Sequence, residues 1–272
     1  MPSYVVSGVS RGLGFEFIRQ LSADPAAVVV GLARDKTATE KKVATEIGRS
    51  NIHILHGDLD DYESLKKAAE DTSKITGGSL DYLIANAGIV SSGTAFRGLY
   101  DLGDDHDALE KDLLATYKTN VIGNINLINL FTPLILKGNV KKIVAISSGH
   151  GDFDIVRDHK LQMAGPYALS KAALSLAIAK YHAELSSEGV LCMSISPGVV
   201  ETSGHNDATK LSEKDQRGLE DMFRKFSEYA PQWKGAITPE ESIRLVMGVI
   251  NNASVEKDGG SFVSQFGTRQ WL

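Results

Sequence analysis

Short runs of β-branched and aliphatic residues alternate with longer stretches whose apolar side chains recur every three or four positions, along the whole 272-residue chain. The runs YVVS (4–7), AVVVGLA (27–33), IHILH (52–56), LDYLIA (80–85), KIVAIS (142–147), LCMSIS (191–196) and SFVS (261–264) predict seven strands. The stretches 12–23, 36–49, 61–76, 105–136, 166–188 and 239–251 predict the helices between them. Strands that are apolar almost throughout are buried on both faces, which is the condition of a parallel sheet covered by helices on either side.

The pattern therefore predicts an α/β protein: a single doubly wound, Rossmann-like domain over residues 1–272 with a seven-stranded parallel sheet. No Ser/Gly/Pro-rich linker, repeat or low-complexity tract marks a second domain. Sheets of this kind bind ligands outside the carboxyl ends of their strands, so the chemistry is expected there.

Charge and composition narrow the partners. The 29 basic and 34 acidic residues give a net charge of −5, and no Lys/Arg cluster is interleaved with aromatics, which argues against nucleic acid. No apolar run is long enough to span a bilayer, and the first strand starts at Tyr4, so a cytoplasmic protein is expected. The single cysteine, Cys192, sits in an apolar strand and reads as a buried core residue. His53 and His56 bracket a strand, and none of the seven histidines forms a ligand pair, so no metal is expected. Asn252-Ala253-Ser254 matches a glycosylation sequon, which matters only to a secreted chain.

The stretch YVVSGVSRGLGFEF places Gly8, Gly12 and Gly14 between the first strand and the first helix. Bare backbone at that turn lets N–H groups approach a pyrophosphate, and the positive helix end favours it. The spacing G-x-x-x-G-x-G lacks the G-K-[ST] ending of an ATPase loop, and alone it also fits a turn serving only strand-to-helix packing. An acid at the end of the second strand would accept the ribose hydroxyls of NAD, whereas an arginine accommodates the 2′-phosphate of NADP. That position is Ala33, followed by Arg34, with Arg11 on the same side, so NADPH/NADP+ is favoured. Asp35, the competing acid, reads as the cap of the helix beginning near Lys36.

In GPYALSKAAL, Tyr167 and Lys171 stand four apart at a helix start and share one face. An ammonium beside a phenol favours the phenolate, so Lys171 is expected to lower the tyrosine pKa toward neutrality.

Taken together, SGVSRGLG (7–14), GDLDD (57–61), NAG (86–88), TNVIG (119–123), AISS (145–148), YALSK (167–171) and SPGVVET (196–202) resemble the short-chain dehydrogenase/reductase family, in family order over nearly the whole chain. The resemblance implies that Asn120, Ser148, Tyr167 and Lys171 are catalytic: Tyr167 gives the proton, Ser148 holds the substrate carbonyl and Asn120 keeps a water beside Lys171. It implies cofactor contacts from Gly8, Ser10, Arg11, Gly12, Leu13, Gly14 and Arg34, from Asp58 and Leu59 at the adenine, and from Asn86, Ala87 and Gly88. Tyr167 and Lys171 also belong to that set, Lys171 gripping the nicotinamide ribose, with Pro197, Gly198, Val200 and Thr202 seating the nicotinamide. The activity implied is NADPH-dependent reduction of a ketone or aldehyde to an alcohol, by a homodimer or homotetramer.

Two segments depart from the family. GHGDFDIVRDHKLQMAGP, between Ser148 and Tyr167, is longer than usual; Asp152, Phe153, Asp154 and Arg157 either line the pocket lip or form a solvated loop. The stretch 203–237 carries Met222, Phe223, Phe226, Tyr229 and Trp233 and reads either as a substrate lid or as an amphipathic helix on the core. Alcohol oxidation, imine reduction and non-catalytic nucleotide sensing are the alternative functions.

Overall fold

A computed structural model describes residues 1–91, 93–201 and 211–272. The strands are β1 (Ser3–Ser7), β2 (Val28–Ala33), β3 (Ile52–His56), β4 (Tyr82–Ala85), β5 (Lys142–Ile146), β6 (Leu191–Ser196) and β7 (Phe262–Ser264). The helices are α1 (Gly12–Leu21), α2 (Lys36–Glu46), α3 (Tyr62–Thr76), α4 (Leu99–Leu102), α5 (His106–Tyr117) and α6 (Asn124–Ile135). They continue with α7 (Phe153–His159), α8 (Gly165–Leu185), α9 (Glu213–Tyr229), α10 (Pro239–Asn252) and α11 (Val255–Asp258).

The strands form one sheet in the order β3-β2-β1-β4-β5-β6-β7, every pair parallel. Alternation along each strand builds two cores. Val6, Val29, Ile84, Val144 and Met193 point to the face covered by α1 and α10. Their neighbours Val5, Val30, Leu83, Ile143 and Cys192 point to the face covered by α3, α6 and α8. Cys192 is thus a buried, free core residue. The order reverses between β1 and β4, where the chain leaves a crevice at the strand ends.

The helix expected over 105–136 is three pieces: α5, a π-helical turn at Lys118–Gly123, and α6. One extra residue in a turn leaves the three-and-four apolar spacing nearly intact, so the break is invisible in the pattern. The link after Ser148 is solvated along Phe153, Asp154 and Arg157 but is not a loop. It forms a 3-10 turn (Gly149–Gly151) and α7, capped by Asp152, whose carboxylate accepts from the Ile155 N–H at 3.0 Å. Arg269 donates to Asp152 and Asp154, tying the chain's last residues to this helix. Among the described residues, no helix is long and apolar enough to cross a membrane.

Candidate active site

The β1–α1 turn explains its glycines. Gly8 has φ +75° and a Cβ there would lie 2.9 Å from the Ala87 Cβ, so both conformation and space require glycine. A Cβ on Gly14 would overlap the Gly8 carbonyl and come within 2.7 Å of Asn86 Nδ2. Asn86 in turn donates to the Ser7 carbonyl at 2.9 Å, clamping the ends of β1 and β4 together.

A cleft of about 320 Å³ opens above this turn. It runs from Gly8, Ser10, Arg11, Gly12, Leu13 and Gly14 past Arg34, Asp58 and Leu59 to Asn86, Ala87 and Gly88. Helices α2, α3 and α5 are capped by Asp35, Asp61 and Asp105, but Arg11 gives α1 no side-chain cap, and the first turn carries no acid. The N–H groups at that end are open to an anion. Asp35 accepts from the Ala38 N–H at 2.9 Å and is spent on its helix, while Arg34 lines the cleft. The Arg34 carbonyl is held by His56 Nδ1 at 2.9 Å. Bare glycines, an uncapped helix end and two arginines fit a phosphorylated dinucleotide.

A second cavity, of about 700 Å³, adjoins the first, and Val90 lines both. Ser148 and Tyr167 stand in its wall. Their meeting depends on Gly151, where a Cβ would lie 2.8 Å from the Ala172 N, so the turn after Ser148 can press on α8. Pro166 at the helix start and Ala164 in left-handed conformation (φ 53°) turn the chain so that Tyr167 falls in the first turn of α8.

Burial raises the Tyr167 pKa above its usual value, and a hydrogen bond with Ser148 partly offsets this. Lys171 Nζ donates to the Ile146 carbonyl at 2.7 Å and lies 5.7 Å from the Tyr167 ring centre, and burial pulls its pKa down to about 8. Lys171, expected to lower the tyrosine pKa, is not among the groups that shift it; the net direction is upward, from burial.

Asn120 lies in the π turn, fully buried. Its Oδ1 accepts from the Ile89 N–H at 2.7 Å, and its Nδ2 donates to the Ile89 carbonyl and to Ser170 Oγ, both at 2.9 Å. It fixes the wall between the two cavities. Bare Gly88 makes room beside it: a Cβ there would lie 3.0 Å from Asn120 Oδ1 and 3.4 Å from Lys171 Nζ.

Gly198 (φ +85°) and Val200 line the larger cavity, and the Pro197 carbonyl accepts from Ser242 Oγ at 2.7 Å. Thr202 and the first part of the 203–237 stretch lie outside the described residues. From α9, Met222, Phe223 and Phe226 line the cavity, so the aromatic face is both wall and packing surface. Trp233 stacks on Phe223 at 5.8 Å and meets Phe226 edge-on at 5.5 Å, and Tyr229 packs in the same cluster. Asp152, Phe153, Asp154 and Arg157 do not line it; Phe153 is 73% exposed. From the same segment His150, Ile155, Leu161 and Met163 do, and Phe96 and Trp271 join them from distant parts of the chain. Nothing in the sequence marked Trp271; His150, two residues after Ser148 and on the same turn, was within reach.

Residues 3–213 match the family described as short chain dehydrogenase. The short chain dehydrogenase virK of Hypocrea virens is 51% identical over 100% of both chains. The short-chain dehydrogenase/reductase iacC of Pestalotiopsis fici is 48% identical, again over 100% of each. Among solved structures, the NADPH-bound carbonyl reductase from chicken fatty liver superposes with a TM-score of 0.76 at 25% identity, covering 98% of each chain. The chain belongs to the short-chain dehydrogenase/reductase family of oxidoreductases.

Proposed function

We propose that this protein is an NADPH-dependent reductase that converts a ketone or aldehyde of a small organic substrate to an alcohol, with Tyr167 as proton donor. The observation that carries the reading is the meeting of the nucleotide cleft and the larger cavity at Val90, with the Ser148–Tyr167 pair in the wall of the latter. NADPH, when bound, supplies the hydride to the carbonyl carbon.

The residues of the chain do the rest. The α1 N-terminus and the bare backbone of Gly8, Gly12 and Gly14 receive the pyrophosphate, and Arg11 and Arg34 the 2′-phosphate. Ser10, Leu13, Asp58, Leu59 and Asn86–Gly88 line the path of the adenosine half. Pro197, Gly198 and Val200 seat the nicotinamide, and Lys171 holds its ribose. Ser148 donates to the carbonyl oxygen, stabilising the charge that develops there. Tyr167, kept protonated by burial, delivers the proton to that oxygen. Asn120 holds the wall at Ile89 and a water beside Lys171 through which the proton is replaced. The NADPH-bound carbonyl reductase among the structural neighbours supports both the cofactor and the direction. The reading is tested by NADPH oxidation in the presence of tetralone, an aromatic ketone, with NADH as the comparison.

The same reading includes self-association. Leu114 and Tyr117 of α5, Ile122 of the π turn, and Leu169 and Leu176 of α8 are exposed apolar side chains. They give a second copy a surface to cover, and particles of at least two chains are expected in light scattering at micromolar concentration. A mass of one chain would contradict this.

A further inference from the structure

The larger cavity carries more information than a site for any carbonyl. Helix α9 turns one face to it, and Leu219, Met222, Phe223 and Phe226, spaced at three and four, line it. That face is held in place at both ends. Near the start of α9 a Cβ on Gly218 would overlap the Phe96 carbonyl, so the helix lies directly on the chain there. Arg97 ties the same end by donating to both oxygens of Asp215, at 2.8 and 3.3 Å. Beyond the other end the chain folds back, and Trp233 meets Phe226 edge-on and stacks on Phe223 with the ring planes 19° apart.

The rings of the cavity are not equivalent. Phe226 and Trp271 are 5% and 4% exposed and pack with Ile155 and Leu161 in a core cluster, so a ligand finds little of them to cover. Phe223 lines the same cavity and is 42% exposed. Among the described residues Trp233 is its one aromatic partner, so one side of the ring is backed and the rest is open. An open apolar ring in a ligand cavity is stabilised when a flat ring covers it. Because its helix and its backing ring are already in place, little further ordering is needed on binding.

We propose that the substrate is a ketone bearing an aromatic ring, that Phe223 is the specificity-determining residue that stacks on this ring, and that Trp233 is a positioning residue that holds the plane of Phe223. The proposal rests on the assignment of this cavity as the substrate site.

The test compares 2-tetralone with 2-decalone, which share one fused carbon skeleton and an unconjugated carbonyl and differ in the aromatic ring. Binding is followed by calorimetry in the presence of NADP+, which has no hydride to transfer. Turnover is followed separately by NADPH oxidation. The wild-type protein is expected to bind 2-tetralone about five-fold more tightly, the size of an aromatic pair beyond the area it buries. Phe223→Leu, an apolar replacement at a partly exposed helix position, should bring the two ketones within about two-fold of each other by weakening 2-tetralone. Phe223→Tyr, which keeps a ring, should retain the preference, and Trp233→Leu should lose part of it. Equal binding of the two ketones by the wild-type protein, or no binding of 2-tetralone, would overturn the proposal even where ketones are reduced. A preference that survives in Phe223→Leu, or an equal loss of both ketones there, would overturn it too, and a preference unchanged in Trp233→Leu would overturn the part given to Trp233. A preference that depends on Phe223, without oxidation of NADPH by either ketone, would uphold the role of Phe223 and overturn the reductase reading instead.

Discussion

Replacing Tyr167 by Phe is expected to lower the rate of ketone reduction by about two to four orders of magnitude, the usual contribution of a general acid, while NADPH still binds. Only the hydroxyl is lost. The ring keeps its place in the first turn of α8, and Ser148 loses a partner but not its position at the end of β5. Lys171→Ala should behave differently, weakening NADPH binding as well as turnover. The Lys171 pKa of about 8 also gives a sign to the pH dependence. The ammonium is charged below that value and neutral above it, so NADPH affinity should fall as pH rises through about 8, and Lys171→Ala should flatten that fall. Stopped-flow turnover and NADPH titration across this range check both. Near-normal reduction by Tyr167→Phe would place the proton source elsewhere.

Arg34→Asp is expected to reverse or erase the preference for NADPH. The substitution removes a cation that lines the nucleotide cleft and puts a carboxylate at the end of β2, where it repels a 2′-phosphate and accepts ribose hydroxyls. A charged hydrogen bond contributes about 1.5–3 kcal/mol, which is about ten- to a hundred-fold in NADPH affinity. The backbone there is held by His56 and the next residue is fixed as the cap of α2, so the change stays local. The ratio of kcat/KM for NADPH to that for NADH reports it. A ratio unchanged in Arg34→Asp would show that Arg34 makes no contact with the phosphate.

The fold was legible because every strand alternates between two buried faces and every connection is a helix, features written directly into spacing and residue type. Asp35 as a cap and Gly8 and Gly14 as required bare backbone were legible for the same reason: each follows from a local rule. The π turn was not, because one extra residue barely disturbs helical periodicity. Nor was most of the larger cavity: Met222, Phe223 and Phe226 stood out in the sequence, but Phe96, His150 and Trp271 reach it from loops and turns far apart in sequence, and only tertiary packing brings them together. The segment after Ser148 was left between two readings, and only part of the outcome was legible: Phe153, Asp154 and Arg157 are solvated, yet they ride on a helix that Asp152 caps while pairing with Arg269, and the apolar Ile155 and Leu161 turn inward. The upward shift of the tyrosine pKa was not legible, because spacing shows a neighbouring charge but not burial.

The most direct test of the central claim is transfer of deuterium to tetralone from NADPH carrying two deuterium atoms on the reactive ring carbon. The account predicts one deuterium on the carbinol carbon of the alcohol for each NADPH consumed, with transfer slowed in Tyr167→Phe by the same factor as turnover. An alcohol without deuterium at that carbon, or no alcohol from tetralone while NADPH remains bound, would contradict it.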